Sequence, residues 1–187
     1  GVEVDPDRAR ALYRCAAEQD DGRAAERLAR LESVASERSA AKQAGGPRVD
    51  GATLRRFIQI GDHASMRAAL AAGTHVDITY SDGITPLRVA VDREDSVAAR
   101  LLLEAGAPPD RADAGGRTPL MTAVRNGDAA TVRALIEHDA TIDLRGPAGR
   151  TALMMAVQRA DAETSRLLLA AGADATLRDA NGNDALA

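Results

Sequence analysis

The sequence is poor in the residues that usually fill large cores. Among 187 residues there are one Phe, two Tyr and no Trp. A core without broad rings has to be assembled from Leu, Ala, Val and Met in thin layers, which suits packed helices and argues against a large β-sandwich. Cysteine is nearly missing as well: Cys15 stands alone, which excludes an internal disulfide. Lysine is nearly absent, since Lys42 is the only one among 24 basic residues. This arginine bias, set in an alanine-rich background, is expected of a GC-rich, bacterial coding sequence and carries no functional meaning. No apolar run approaches the ~20 residues needed to span a bilayer. No secretory signal is evident at the start, which falls within a motif, and a cytoplasmic location is expected. The net charge of −4 comes with no strongly basic segment. Neither nucleic acid nor membrane is therefore an expected partner.

What the chain does have is a phase. Stepping forward by 33 residues from Gly83, Thr85, Pro86 and Leu87 lands on Gly116, Thr118, Pro119 and Leu120, then on Gly149, Thr151, Ala152 and Leu153. A further step reaches Gly182, Asp184, Ala185 and Leu186. The downstream stretches "ARLLLEAGAPPD", "VRALIEHDATID" and "SRLLLAAGADAT" align without a gap, and "MRAALAAGTHVD" falls into register ahead of them. Each part has a physical reason. The four glycines sit where a tight turn needs positive φ. Thr85, Thr118 and Thr151 are placed to cap a helix, with Asp184 in that role in the last unit, and Pro86 and Pro119 suit the first helical position. A short first helix with small residues Ala90, Ala123 and Ala156 follows. A second helix carries Val97, Leu101 and Leu102, then Val132, Leu135 and Ile136, then Leu167 and Leu168, and Gly106, Asp139 and Gly172 end it in the left-handed conformation.

This unit resembles the ankyrin repeat, with its β-turn, two antiparallel helices and Thr-Pro-Leu signature at the same period. The resemblance implies an all-α solenoid over residues 53–187, in units at about 50–82, 83–115, 116–148 and 149–181, with a partial unit at 182–187. The first unit lacks the Thr-Pro-Leu turn and has Phe57 where others have Ala, and Arg55, Arg56 and Arg67 are candidates for its polar outer cap. "NGNDALA" opens the partial unit and leaves Leu186 without a partner, so the chain is expected to be either truncated or completed by a following segment. One departure from the family is consistent: where it has His after Thr-Pro-Leu, this chain has Arg88, Met121 and Met154, and looser loops are expected.

Residues 1–44 belong to another kind of unit. Ala9, Leu12, Tyr13, Ala16 and Ala17 make one apolar helical face, Asp20, Asp21 and Gly22 break it, and Ala24, Ala25, Leu28 and Leu31 begin a second. With "YRCAAEQ" at its centre, the segment resembles the junction of two Sel-one-like repeats of the tetratricopeptide superfamily, which implies a helical hairpin preceding the solenoid and further chain upstream. Gly45, Gly46 and Pro47 mark a linker over 45–52. As the alternative to an arginine cap, these N-terminal helices pack on the first ankyrin unit, and Leu28 or Leu31 then partly covers Met66 and Leu70.

Chemistry is not expected within these residues. His63, His75 and His138 stand in no metal-ligand spacing, and Cys15 reads as a small buried residue without a His or Asn partner. "DANGND" has its glycine at the fourth position where a calcium loop has it at the sixth, so it reads as the ankyrin turn. No catalytic, cofactor or metal residues are assigned. Binding is expected instead on the surface the fold does not need. By resemblance this is a concave face of turn tips and first helices: Ser81, Asp82, Ile84, Asp92 and Arg93; Ala114, Arg117, Arg125 and Asn126; Ala148, Arg150, Gln158 and Arg159; Asn181 and Asn183. Five arginines among them form a basic stripe suited to a protein partner with an acidic, carboxylate-rich surface. The expected function is non-catalytic protein–protein binding as an adaptor, inhibitor or immunity-type module. The alternative is a regulatory or targeting segment of a larger enzyme whose catalytic domain lies outside the chain.

Overall fold

The computed structural model describes residues 48–185. The expected N-terminal hairpin with Cys15, Leu28 and Leu31, and the terminal Leu186, lie outside the described residues. Eight α-helices occur within them: α1 Gly51–Ile60, α2 His63–Ala71, α3 Pro86–Asp92, α4 Ser96–Glu104, α5 Pro119–Asn126, α6 Ala129–Glu137, α7 Ala152–Gln158 and α8 Ala162–Ala170, with a short 3-10 turn at Pro147–Gly149. Odd-numbered helices pack in one row, α1 on α3 on α5 on α7, and α4, α6 and α8 form a second row behind them. The second row is backed onto the first pair by pair, α3 with α4, α5 with α6 and α7 with α8.

The short helices depend on their ends, because a helix of two turns leaves most of its terminal N–H groups unbonded. Thr85, Thr118 and Thr151 take extended backbone and accept from the N–H of Arg88, Met121 and Met154, as their position implied. The first unit solves the same problem earlier in the chain. Asp50 accepts from the N–H of Thr53, so α1 starts ahead of the point at which α3, α5 and α7 begin. The second helices have a capping series of their own that the reading of the sequence missed. Asp62, Asp95, Asp128 and Asp161 recur at the same 33-residue step, and each accepts the N–H three residues on, at 3.0 Å. The turns also repeat: the N–H of Tyr80, Asp113, Gly146 and Asp179 reaches the carbonyl of Ile84, Arg117, Arg150 and Asn183 at 2.8 to 2.9 Å. Gly83, Gly116, Gly149 and Gly182 all have φ between 69° and 83°, as the tight turn requires.

The core is a chain of thin layers. Leu54, Ile58, Met66, Leu102, Val132, Leu135 and Leu168 are fully buried, and small Ala90, Ala123 and Ala156 let the first-row helices approach closely. Fully burying one such leucine is worth about 1.5–3 kcal/mol. Val97 departs from the apolar series, being 46% exposed on the outer side of α4. No helix among the described residues is long and apolar enough to cross a membrane.

The loops behind the helices are sewn to one another. Asp110 accepts from both the backbone N–H and the hydroxyl of Thr141, and Asp143 accepts from the N–H of Asp174 at 3.1 Å. The same stitch is impossible one unit earlier, where the residue in register is Pro108, which has no N–H. Asp77 there takes the guanidinium of Arg111 instead, at 2.7 Å.

Candidate partner-binding face

Against the expectation of loose turns, two of the three positions lacking histidine, and their counterpart in the first unit, are seated against the turn that follows. Residues 55, 88 and 121 each face the first residue of the following turn, 25 positions on, and each does so by different chemistry. Arg55 lies 4.8 Å from the ring centroid of Tyr80 and pairs with Asp82 at 2.6 Å. Arg88 sends Nη1 to Asp113 and Nε to Asp92, both at 2.8 Å. Met121 is buried, and its Sδ occupies the space that a Cβ at Gly146 would need. Each residue therefore braces the next turn as a ring would, two through charge and one through shape.

The electrostatics follow from these contacts. Burial raises the Asp113 carboxyl, but the N–H of Arg117, the Arg88 guanidinium and the N–H of Gly115 outweigh it, and the group is held below its usual range. Asp82 is lowered first by its hydrogen bond to Arg55. Asp179 is lowered first by the N–H of Asn183, with Arg150 adding to the effect. Burial pushes the Tyr80 hydroxyl up to about 12, and that hydroxyl has no hydrogen-bond partner among the described residues.

With these commitments counted, the residues expected to meet a partner divide into two groups. Asp82 belongs to Arg55 and to the N–H of Ile84, and Asp92 belongs to Arg88. Asn126 donates its amide to the carbonyl of Val91 in the preceding unit at 3.1 Å. Arg150 donates to Gln158 at 2.9 Å and lies 3.9 Å from Asp179. Ile84 is half-buried against the core. These six serve the stack itself. Their positions on the surface implied freedom, but each has a neighbour within reach in its own or an adjacent unit.

Arg93, Arg117, Arg125 and Arg159 are different. None has a carboxylate within ion-pair distance among the described residues, although the Arg159 guanidinium lies over Gly127. Ser81, Ala114, Ala148, Asn181 and Asn183 are exposed at the turn tips beside them, the two asparagines offering their backbone N–H groups to Asp179. Of the five arginines expected on this face, Arg150 alone has a side-chain hydrogen bond among the described residues.

A second basic row lies on the helices behind. Arg67, Arg100, Arg133 and Arg166 recur at the 33-residue step, and acids answer part of it: Arg100 meets Glu137 at 3.0 Å and Arg133 approaches Glu163 at 3.9 Å. Exposed pairs of this kind contribute little to stability. The histidines bring no site together. His63 donates Nε2–H to Asp95, 2.8 and 2.9 Å from its two oxygens, and so ties α2 to the cap of α4. Among the described residues no group of His, Cys, Asp and Glu is arranged to hold a metal ion.

The family models agree with this architecture over most of the chain. A model for ankyrin repeats in three copies matches residues 54–146, and a single ankyrin-repeat model matches residues 148–180. No curated protein matches the chain. Paired helices stacked in two rows, Thr-capped first helices, glycine turns at a 33-residue step and these matches together place the chain in the ankyrin-repeat family.

Proposed function

We propose that the array is a non-catalytic protein-binding module that recognises an acidic partner surface through its turns and first helices. Ankyrin repeats are in general protein–protein interaction modules, and this supports the class of function. The single observation that carries the finer reading is the division among the arginines: the fold occupies Arg55, Arg88 and Arg150, while Arg93, Arg117, Arg125 and Arg159 make no ion pair or side-chain hydrogen bond among the described residues, Arg159 having only a longer-range attraction for Asp161. Four unpaired guanidinium groups on a protein of net charge −4 attract carboxylates and steer their approach.

The test is affinity capture from the native cell extract with the whole chain, comparing Arg93, Arg117, Arg125 and Arg159 all changed to Glu against Arg67 and Arg166 changed to Glu on the opposite side. A partner lost with the first variant and kept with the second supports the reading. A partner kept with the first, or lost equally with both, removes it.

A further inference from the structure

We propose that Arg117 and Arg125 form a two-arginine clamp that closes on a single carboxylate of the partner. The inference rests on the binding face described above and assigns it one central contact.

The geometry comes from the neighbouring repeat. Positions 117 and 125 correspond to 150 and 158, one 33-residue step later. The two units share the closing bond and the cap: Asp113 N–H reaches Arg117 and Gly146 N–H reaches Arg150, each at 2.9 Å, and Thr118 and Thr151 cap the helix that follows, although Ala148 at the tip of the later turn is left-handed where Gly115 is not. In the later unit the two side chains meet, Arg150 Nη1 to Gln158 Oε1 at 2.9 Å. One turn residue and one helix-end residue eight positions apart therefore converge on a common point. Arginine is longer than glutamine, so Arg125 reaches that point from the corresponding place.

What differs is the chemistry. The later unit closes on itself because a donor faces an acceptor. In the earlier unit both positions carry donors, so the two side chains cannot close on each other, and an acceptor from outside is needed to join them. The nearest acid in the turn cannot serve. Asp113 spends Oδ1 on the N–H groups of Gly115 and Arg117 and Oδ2 on Arg88. One unit further back the pair is Ile84 with Asp92, and Asp92 is held by Arg88 at 2.8 Å. The doubled donor thus occurs in one repeat alone. An oxyanion placed between the two guanidinium forks relieves their repulsion and accepts from both, the charge-assisted arrangement that makes arginine selective for carboxylate.

The proposal is tested with the whole chain labelled with 15N, following the arginine Nε–Hε signals as tetraglutamate peptide is added, with tetraserine and inorganic phosphate as the other arms. Expected are shifts of Arg117 and Arg125 that saturate together at one Kd, smaller shifts at Arg93 and Arg159, and no response to tetraserine. Arg125→Gln should weaken the Arg117 response about tenfold, and Arg117→Gln should do the same to Arg125. Equal shifts at every exposed arginine, or an Arg117 response indifferent to Arg125→Gln, overturn the clamp. Tighter binding of phosphate than of the peptide at the same two residues overturns its assignment to a carboxylate. If the clamp fails while reversal of Arg93 and Arg159 still abolishes capture of the partner, the binding face stands and the clamp alone falls.

Discussion

The turn that leads from the second repeat into the third and the turn that leads from the third into the fourth are seams held by opposite chemistry. At the first, Arg88 spans to Asp113 with a guanidinium–carboxylate bond of 2.8 Å. At the second, Met121 lies against Gly146 so closely that no side chain fits between them. The partner changes with the brace: the long cation meets an acid, and the thioether meets the one residue that leaves it room. A turn can thus be held without the histidine that the family usually places here, provided the residue 25 positions on is matched to its substitute.

The difference between the seams is open to attack, beginning where the loss should be largest. Met121→Ala removes a fully buried side chain and should cost about 2–5 kcal/mol, comparable with Leu102→Ala or Leu168→Ala in the core, in urea unfolding at any salt concentration. A cost below about 1 kcal/mol would show the thioether to be peripheral to the seam. Gly146→Ala should cost about 1–3 kcal/mol by crowding the Met121 sulfur. Combined with Met121→Ala, its penalty should shrink, so that the double variant is less destabilised than the sum of the single ones.

Arg88→Met should cost about 1–2 kcal/mol at low salt by leaving Asp113 with one strong donor fewer, and less as salt rises. The same variant carries a pH signature. The folded Asp113 carboxyl lies below its ordinary value of 3.8, so the stability it contributes is complete above that value and is lost as pH falls through the lower folded value. Unfolding midpoints taken from pH 5 downwards should therefore fall less steeply in Arg88→Met than in the parent, while Met121→Ala should leave the slope alone. The smallest effect concerns the helix ends beside the face. Glu94 and Ala160 hold φ of 57° and 56° at the register where Gly61 and Gly127 hold 70° and 78°. Replacing either by Gly should raise stability by about 0.5 kcal/mol by relieving left-handed strain, visible as a small upward shift in Tm.

Much of this architecture was legible because it repeats. Gly83, Thr85, Pro86 and Leu87 and their counterparts named the turn, the cap and the start of each first helix, and Gly106, Asp139 and Gly172 take the left-handed ends expected of them, with φ of 88°, 61° and 91°. Asp62, Asp95, Asp128 and Asp161 were just as readable at the same step, had the comparison been extended to polar residues. The braces were not, since Tyr80, Asp113 and Gly146 share no chemistry and stand 25 residues from their partners instead of a full period. The surface was the least legible part. Asp92, Asn126, Arg150 and Gln158 were expected at the surface, and only the reach of neighbouring side chains shows the hydrogen bonds they make within the stack.

That division among the arginines is what the functional reading stands on, and equilibrium unfolding in urea measures it directly. Changing Arg93, Arg117, Arg125 and Arg159 together to Glu should lower the midpoint only slightly, because no ion pair or side-chain hydrogen bond among the described residues depends on them. The loss is confined to the attraction of Arg159 for Asp161 and the place of Arg125 in the last turn of α5. Arg88→Glu alone should lower it clearly, since the new carboxylate would face Asp92 and Asp113. Equal losses in the two variants would show that the exposed arginines are structural after all, and would leave no unclaimed basic face for a partner to read.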